Sequence, residues 1–347
     1  MESELPQKFI QIDEEGYLLQ GDARVNDALL GAEVLTQISF APNGCFVSRA
    51  GGVPVIVEAF DEPLVALSID LESLTITAPY NVDFDFKPEH LSLDEWDRFH
   101  GLTKDGIPFV LSRAAQASIF DQLDEYDDES ITFKGNIYQI PAWLSAENDV
   151  TKEAFWTNIY NTEKDLPWSL HEVSPVIKDM VPRLKLTRSR ILVLGAGEGH
   201  DAAYFAKEGH FVTAVDFSDE AIKRGKALYG DIANIKWIEA DVLKLGPEHF
   251  GQYDYVVEHT CYCAIDPADR AKLVKQWRNL LTERGHLIGV FFAMHKRNGP
   301  PFGGSEWEIR NRLKSNFHMI FWGRWKASTP GRQGKELFIF AQKKNLL

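Results

Sequence analysis

Short apolar runs separated by turn residues make up the first 144 residues of the chain. Turn sequences stand between apolar runs at three places, as in β-hairpins, namely residues 13–16, 49–52 and 133–136. Apolar residues recur at helical spacing over residues 27–37 and, more strongly, over residues 112–126. This mixture predicts a strand-rich α+β domain over residues 1–145.

The hydrophobic pattern changes after Thr151. Before it, an acidic run at 124–129 is typical of a solvated helix end, and residues 141–149 are interpreted as a connection. After it, apolar strands alternate with amphipathic helices, in the order 191–194, 202–207, 211–215, 220–228 and 235–238. That alternation predicts a parallel sheet covered by helices on both faces, in an α/β domain over residues 146–347.

Local start and stop signals indicate one further helix and strand. Asp266 can cap a helix that begins at Pro267, and Gly285 is predicted to end that helix after Leu281. A strand is predicted to follow at residues 287–292.

Composition and charge narrow the class of protein. A length of 347 residues suggests two domains, and 44% hydrophobic with 25% charged residues is ordinary for a globular protein. The net charge of −14, with no basic stripe, disfavours a nucleic acid or an anionic membrane surface as a partner. The N-terminus has no signal-peptide pattern, and three cysteines fit a reduced protein, so we expect a cytoplasmic location.

Three glycines, Gly195, Gly197 and Gly199, follow the predicted strand at 191–194. Glycine permits a sharp turn from strand to helix and lets a ligand lie against the backbone. A dinucleotide site prefers glycine or alanine at the third position of its fingerprint, where this chain has His200. The loop therefore favours S-adenosylmethionine, which has no phosphate, over NAD; a tight turn without a ligand is the alternative.

Acidic residues follow the next two strands. Asp216 ends the second strand, where a carboxylate can accept both ribose hydroxyls of either cofactor. Asp241 and Val242 follow the third strand, where an acidic side chain beside an apolar one suits the adenine amino group and ring. Helix capping is the alternative role for both aspartates.

Several segments from about residue 155 onwards resemble the thiopurine methyltransferase family, which includes thiocyanate and halide methyltransferases. They are Trp156-x-x-x-Tyr160, Leu166-Pro-Trp168, and residues 260–270, 299–302 and 332–336. The resemblance implies a Rossmann-like, seven-stranded class I methyltransferase domain that ends in an antiparallel hairpin near 317–325 and 337–342. It also implies S-adenosylmethionine as cofactor and S-adenosylhomocysteine as product.

The resemblance further implies an aromatic lid of Trp156, Tyr160 and Trp168 over the cofactor and the acceptor. Aromatic faces attract a sulfonium cation, and a closed lid excludes water; burial of these rings in the core is the alternative. The residues assigned to cofactor binding are Trp156, Trp168, Gly195, Gly197, Gly199, Asp216, Asp241, Val242 and Glu258. Those assigned to catalysis are His259, Tyr262 and Tyr160.

One departure from the family pattern concerns the acceptor. Mammalian thiopurine enzymes carry Asp-Arg-Gly where this chain has Glu258-His259-Thr260, and the plant enzymes have an aromatic residue at the place of His259. A thiopurine acceptor is therefore disfavoured.

Methyl transfer from a sulfonium is an in-line displacement that depends mainly on positioning and desolvation. A thiol reacts as its thiolate, and His259 is the leading candidate for the base; a strand-end histidine without catalytic role is the alternative. Cys261 and Cys263 match no common zinc spacing, so we expect packed cysteines and no metal.

The sequence thus predicts an S-adenosylmethionine-dependent enzyme that methylates a small soft nucleophile, such as hydrogen sulfide, methanethiol or another thiol. Halide, thiocyanate, selenium or tellurium acceptors are close variants. An NAD-dependent oxidoreductase and a non-catalytic nucleoside sensor are the alternatives from other classes. Residues 1–145 carry no catalytic motif, and they are expected to cover the substrate mouth or to form a homodimer.

Overall fold

The structure is a computed structural model that describes residues 5–345. Its N-terminal part contains two helices, α1 (Ala28–Thr36) and α2 (Arg113–Phe120). The strands of this part are β1 (Phe9–Ile12), β2 (Leu18–Gln20), β3 (Ala23–Arg24), β4 (Ser39–Phe40), β5 (Phe46–Ala50), β6 (Val53–Ala59), β7 (Leu64–Ala66), β8 (Ser68–Asp70), β9 (Thr75–Ala78), β10 (Val82–Asp85), β11 (Ser92–Leu93), β12 (Phe99–Leu102), β13 (Pro108–Leu111), β14 (Glu125–Tyr126), β15 (Ser130–Phe133), β16 (Asn136–Gln139) and β17 (Ser145–Ala146).

Short sheets form this N-terminal part. The strand orders are β3-β2-β1-β6-β5-β4, β11-β12-β13-β7, β10-β9-β8 and β14-β15-β16. The three predicted turn sequences join β1 to β2, β5 to β6 and β15 to β16, each an antiparallel pair. The sheets and the two helices share one main hydrophobic core, in which Phe86 and Phe109 are fully buried.

The C-terminal part alternates strands and helices, as predicted. Its helices are α3 (Glu153–Thr162), α4 (Pro175–Leu184), α5 (His200–Lys207), α6 (Asp219–Tyr229), α7 (Arg270–Leu280) and α8 (Glu306–Leu313). Its strands are β18 (Arg190–Leu194), β19 (Phe211–Asp216), β20 (Ile235–Glu239), β21 (Tyr253–His259), β22 (Leu281–Phe292), β23 (Asn298–Gly299), β24 (Phe317–Arg324) and β25 (Glu336–Lys343).

Seven of these strands form one sheet in the order β20-β19-β18-β21-β22-β25-β24. The first five are parallel, and β25 runs antiparallel to both β22 and β24, which is the predicted hairpin. Alternate residues of β18 point to opposite faces of the sheet, and each face has its own hydrophobic core. Leu192 and Leu194 pack in the core on one face, and Ile191 and Val193 pack in the core on the other face. Burial on both faces explains why the central strands are continuous apolar runs.

Strands β18 and β21 are adjacent in the sheet. The strand that follows β18 in the chain lies on one side of this pair, and the strand that follows β21 lies on the other, so the strand order reverses here. In open α/β sheets, ligands bind beyond the carboxyl ends of the strands at such a switch point. The fold therefore places the glycine loop after β18 and the segment after β21 at the edge where a site is expected.

The predicted helix over 112–126 is shorter than expected, because α2 ends at Phe120. The Gln122 side chain donates to Ile69 O and accepts from Leu71 N, both at 2.8 Å, and this holds the chain outside the helix. The acidic run is therefore not a helix end. It forms strand β14 and the following turn, where Asp127 accepts from the backbone of Glu129 and Ser130.

The helix predicted to end after Leu281 ends one residue earlier, but the stop role given to Gly285 is wrong. Helix α7 ends at Leu280, and β22 begins at the next residue, so Gly285 lies inside the strand. Strand β22 pairs with β21 there through a register shift between Tyr253 and Tyr255. A glycine at such an irregularity marks a bulge, which the sequence pattern does not distinguish from a helix end.

Polar groups join the N-terminal and C-terminal parts. The buried Arg324 guanidinium donates to Ala59 O at 2.9 Å in the N-terminal part, and to Ala293 O and Gly334 O at 2.9 and 3.0 Å. Its Nε also donates to Glu306. Since one side chain satisfies three carbonyls and a carboxylate across the junction, Arg324 fixes how the two parts meet.

In residues 5–345 the structure contains no helix with both the length and the apolar character that a membrane crossing requires.

Replacing Arg324 with methionine leaves these acceptors buried without a donor. We expect Arg324→Met to lower the free energy of unfolding by about 3–5 kcal/mol, the usual effect of breaking a buried ion pair from one side. Urea denaturation followed by circular dichroism measures this value. The matched control is Arg310→Met, because Arg310 is exposed and its contacts, an ion pair with Glu14 and a cation–π contact with Phe60, lie at the surface. Equal stability of the two variants contradicts the role given to Arg324.

Candidate functional site

A cavity of about 670 Å³ opens at the carboxyl ends of the central strands. Many of its walls come from the predicted site segments, namely Trp156, Tyr160, Trp168, Gly195, Asp216, Asp241, Val242, Thr260, Cys261 and Cys263. Further walls come from Phe292, Met294, Pro300, Pro301, Arg332 and Lys335. The structure thus brings the glycine loop, the aromatic segment and the acidic strand ends around one space.

The glycine loop follows β18 with all three glycines at positive φ, +55° at Gly195, +53° at Gly197 and +82° at Gly199. Side chains crowd this backbone. A Cβ atom at Gly199 would lie 2.3 Å from the Trp237 ring, and one at Gly197 would lie 3.1 Å from the Tyr160 hydroxyl. Both the backbone conformation and the close contacts therefore require glycine.

Asp216 stands at the end of β19, buried beneath the loop. Its two carboxylate oxygens accept from Gly197 N at 2.8 Å and from Ser218 N at 3.0 Å, which ties the loop to the second strand. Burial raises the pKa of Asp216, and these backbone donors offset part of the rise. Each oxygen retains a second lone pair, so the cavity-lining carboxylate can also accept from a ligand hydroxyl.

Asp241 lies at the neighbouring edge and caps a short 3₁₀ turn through Leu243 N at 2.8 Å. Its second oxygen pairs with Lys244 at 2.9 Å. Asp241 therefore both caps the turn and lines the cavity, and Val242 lines the cavity beside it.

The three predicted lid aromatics pack against one another on the cavity wall. The Trp168 ring meets Trp156 at 6.0 Å and Tyr160 at 5.8 Å between ring centroids, in edge-on arrangements. Trp156 is anchored by an indole bond to Val150 O at 3.0 Å. Tyr160 is buried, and Trp156 is partly buried. All three rings also line the cavity, so these aromatic residues pack against the core and form part of the cavity wall.

These residues fit S-adenosylmethionine. Aromatic rings suit a sulfonium cation, and Asp216 and Asp241 offer carboxylate oxygens to hydroxyl and amino groups. His200, at the start of α5, hydrogen bonds to the Tyr229 hydroxyl at 2.8 Å and so places a bulky ring where a dinucleotide fold has a small residue.

His259 lies between an acidic and a basic side chain. Its Nδ1 lies 2.6 Å from Asp201 Oδ2 and its Nε2 lies 2.9 Å from Arg332 Nη1, so both ring nitrogens are engaged. Burial opposes ionisation of Asp201, but the adjacent imidazole outweighs it and the pKa of Asp201 lies below its usual value. His259 thus lies between Asp201 and Arg332 and holds the guanidinium in place.

Arg332 is the cavity residue that sequence reasoning did not single out. Besides His259, its guanidinium donates to the Trp168 carbonyl at 2.6 Å and pairs with the buried Glu336 at 3.4 Å. Arg332 opens segment 332–336, one of the segments on which the family resemblance rests, and that segment was the available signal. Lys335 of the same segment also lines the cavity.

Tyr262 and Glu258 lie behind the cavity wall. The Tyr262 hydroxyl donates to Glu308 at 2.8 Å, and the ring is buried beside Arg270. Glu258 Oε1 accepts from Tyr262 N at 3.0 Å. Neither residue lines the cavity, and their contacts lie in the turn after β21 and against Glu308. The catalytic role of Tyr262 and the cofactor contact of Glu258 therefore stay predictions.

The cysteines pack as expected. Cys261 and Cys263 are buried, and Cys263 Sγ lies 3.2 Å from Thr260 O. Burial raises the pKa of Cys261 well above its usual value and that of Cys263 to about 12. Because the thiolate is the nucleophilic and metal-binding form, both side chains act as apolar wall.

The family model for thiopurine S-methyltransferase (TPMT) matches residues 151–345. Probable thiol methyltransferase 2 of Arabidopsis thaliana is 29% identical over 138 residues, which are 39% of this chain and 60% of the relative. Thiocyanate methyltransferase 1 of the same plant is 27% identical over 173 residues, 48% of this chain and 75% of the relative. The chain therefore spans between 60% and 75% of the length of these two relatives.

Among solved structures, the chain is similar to the 1,6-didemethyltoxoflavin-N1-methyltransferase of Burkholderia thailandensis, which was crystallised with S-adenosylhomocysteine. The TM-score is 0.49 at 20% identity, over 65% of this chain and all of that one.

The buried Glu258 gives a pH-dependent prediction. Burial raises its pKa from 4.5 to about 8, so the folded protein keeps a proton that the unfolded chain releases. Protonated Glu258 therefore contributes its full stabilisation of the folded state below pH 4.5, and this stabilisation is lost as the pH rises towards 8. Glu258→Gln imitates the protonated acid. From pH 6 to pH 8 the wild-type protein should lose about 2 kcal/mol of unfolding free energy relative to this variant.

Urea denaturation at the two pH values measures the difference. The control is Glu208→Gln at an exposed glutamate, which should track the wild type at both pH values. A difference between Glu258→Gln and wild type that does not change with pH would show that Glu258 is ionised throughout.

Proposed function

Because the chain belongs to the thiopurine S-methyltransferase family, we propose that it uses S-adenosylmethionine to methylate a small soft nucleophile, most favourably a thiolate. When bound, this cofactor supplies an electrophilic methyl group on a sulfonium. The observation that supports an anionic acceptor is Arg332, a cavity-lining residue whose guanidinium lies 5.1 Å from the ring centroid of Phe292, which also lines the cavity. A cation in such surroundings favours the thiolate over the thiol.

The residues proposed to hold the cofactor are those that face the cavity in the structure. Asp216 and Asp241 accept from the nucleoside, Val242 packs on its ring, and the backbone at Gly195 allows close approach. Gly197 and Gly199 keep the loop in its conformation. The lid residues Trp156, Tyr160 and Trp168 exclude water from the reacting groups.

Arg332 is proposed to orient the acceptor. Its guanidinium is fixed from several directions, by His259, by Glu336 and by the Trp168 carbonyl, so little motion remains to be lost when an anion binds. Asp201 in turn holds His259 through the 2.6 Å contact. His259 is accordingly a positioning residue: it acts through Arg332 and does not take the proton itself.

The N-terminal part is proposed to wall the approach to the acceptor. A second cavity of about 440 Å³ lies between the two parts of the chain, lined by Trp143, His100 and Glu62 on one side. Asp266, Met294 and Lys335 line both cavities, so the two spaces adjoin. A cover over the substrate mouth fits this arrangement; a homodimer through the N-terminal part is the other proposed role.

A methyl-acceptor panel tests the proposed activity. Purified protein with labelled S-adenosylmethionine should methylate hydrosulfide and methanethiol faster than thiocyanate, iodide or a thiopurine. Faster turnover of iodide or thiocyanate instead identifies the halide variant of the same activity. Cofactor binding without turnover on any acceptor, or thermal stabilisation by NAD and not by S-adenosylmethionine, contradicts the proposal.

Variants of Arg332 and His259 separate orientation from base catalysis. Arg332→Met should lower kcat/KM for hydrosulfide by about ten- to a hundred-fold, the effect of losing a hydrogen bond to a charged group. Arg332→Lys should recover part of the lost kcat/KM. His259→Ala should also lower kcat/KM, mainly by raising KM, and the shape of the pH–rate profile should not change. The control, Arg190→Met at an exposed arginine, should match the wild type.

If His259 is the base, His259→Ala should instead remove the acidic limb of the pH–rate profile and lower kcat. That result would restore the role first predicted for it from the sequence.

A further inference from the structure

Two histidines and a glutamate meet beside the glycine loop, outside the cavity. They are His171, Glu198 and His200, and their ligand atoms all lie within 4.8 Å of one another. His171 follows the lid residue Trp168, Glu198 belongs to the glycine loop, and His200 begins α5. The cluster therefore joins two separate segments of the site.

One pair of donor atoms already has the spacing of two zinc ligands. His200 Nε2 lies 3.4 Å from Glu198 Oε2, at the long limit for a hydrogen bond. Two ligands of tetrahedral zinc, each about 2.0–2.1 Å from the ion, stand about 3.3–3.4 Å apart. Two imidazoles and a carboxylate are also a donor set that zinc uses in proteins.

The surrounding hydrogen bonds orient the donors. His200 Nδ1 lies 2.8 Å from the Tyr229 hydroxyl, which directs Nε2 towards Glu198. Glu198 Oε1 pairs with Arg224 at 3.3 Å, so Oε2 is the oxygen turned towards the histidines, and Ser169 donates to it at 2.9 Å. Metal-ligating histidines commonly use their other ring nitrogen in such a bond, which fixes the ring and the tautomer.

The third donor is free to adjust. The His171 side chain is 60% exposed, and its nearest ionic neighbour, Asp165, is 4.0 Å away. Its ring centroid is 6.4 Å from that of His200. A side-chain rotation can therefore complete the site without disturbing the core.

We propose that His171, Glu198 and His200 bind a zinc ion, with water completing the coordination. The ion ties the segment after Trp168 to the glycine loop, two elements that otherwise meet here through the Ser169–Glu198 hydrogen bond and the edge-on contact of His171 with His200. Zinc therefore holds the lid against the loop and slows its opening. This site does not depend on the identity of the methyl acceptor.

Isothermal titration of the chelator-treated, full-length protein with zinc chloride tests the site. We expect one zinc ion per chain. His171→Ala should weaken binding by at least about ten-fold, and Tyr229→Phe, which removes only the orienting hydroxyl, by about ten-fold. The control is His318→Ala, since His318 is an exposed histidine on β24 and lies outside the cluster. This control should bind zinc as the wild type does.

His171→Ala is the decisive variant because its exposed side chain is not needed for folding; circular dichroism verifies the fold. Cobalt(II) in place of zinc should give the intense visible absorption of a tetrahedral site in the wild type and in His318→Ala, and lose it in His171→Ala. Absence of zinc binding to the wild type, or equal affinity of His171→Ala and wild type, overturns the proposal.

Discussion

The guanidinium of Arg332 is the contact on which the site depends most. It binds the carbonyl of Trp168 in the lid, the ring of His259 at the end of β21, and Glu336 at the start of β25. These elements are distant in sequence. They meet at one edge of the sheet because the parallel strands end there and the antiparallel strand β25 begins there. One cation thus links the lid, the central switch point and the C-terminal hairpin, and it still faces the cavity.

The buried acidic residues around the site differ in their hydrogen-bond partners and in the direction of their pKa shifts. Asp201 keeps a lowered pKa because His259 is adjacent, whereas burial raises the pKa of Glu258 to about 8. Asp216 stands between them, buried but held by backbone amides. A carboxylate supported by donors can bind a ligand, while one without enough donors stays protonated and serves the packing beneath the turn. Residue type alone therefore does not assign a role.

The N-terminal part is joined to the C-terminal part close to the site. Arg324 anchors its backbone at Ala59, and Trp307 N donates to Phe60 O at 2.8 Å in the same region. The cavity between the parts adjoins the methyltransferase cavity through Met294 and Lys335. On the other side of the site, the cluster of His171, Glu198 and His200 lies against the lid. The central sheet thus supports the site, and segments from both parts of the chain flank it.

The sequence by itself determined the alternating strands and helices, the glycine loop, the strand-end aspartates and the family. These are local signals, since hydrophobic period, glycine at positive φ and short motifs are each contained in a few consecutive residues. It failed at the end of α2 and at Gly285, where side-chain bonds and a strand irregularity override local propensity.

Only the tertiary structure decided which polar side chains face the cavity. His259 and Tyr262 occupy strand-end positions that suit catalysis, yet one is held between Asp201 and Arg332 and the other bonds to Glu308. Arg332 and the histidine cluster depend on partners far along the chain. Such contacts are fixed by packing of distant segments; segment 332–336 indicated the family, but not that Arg332 faces the cavity.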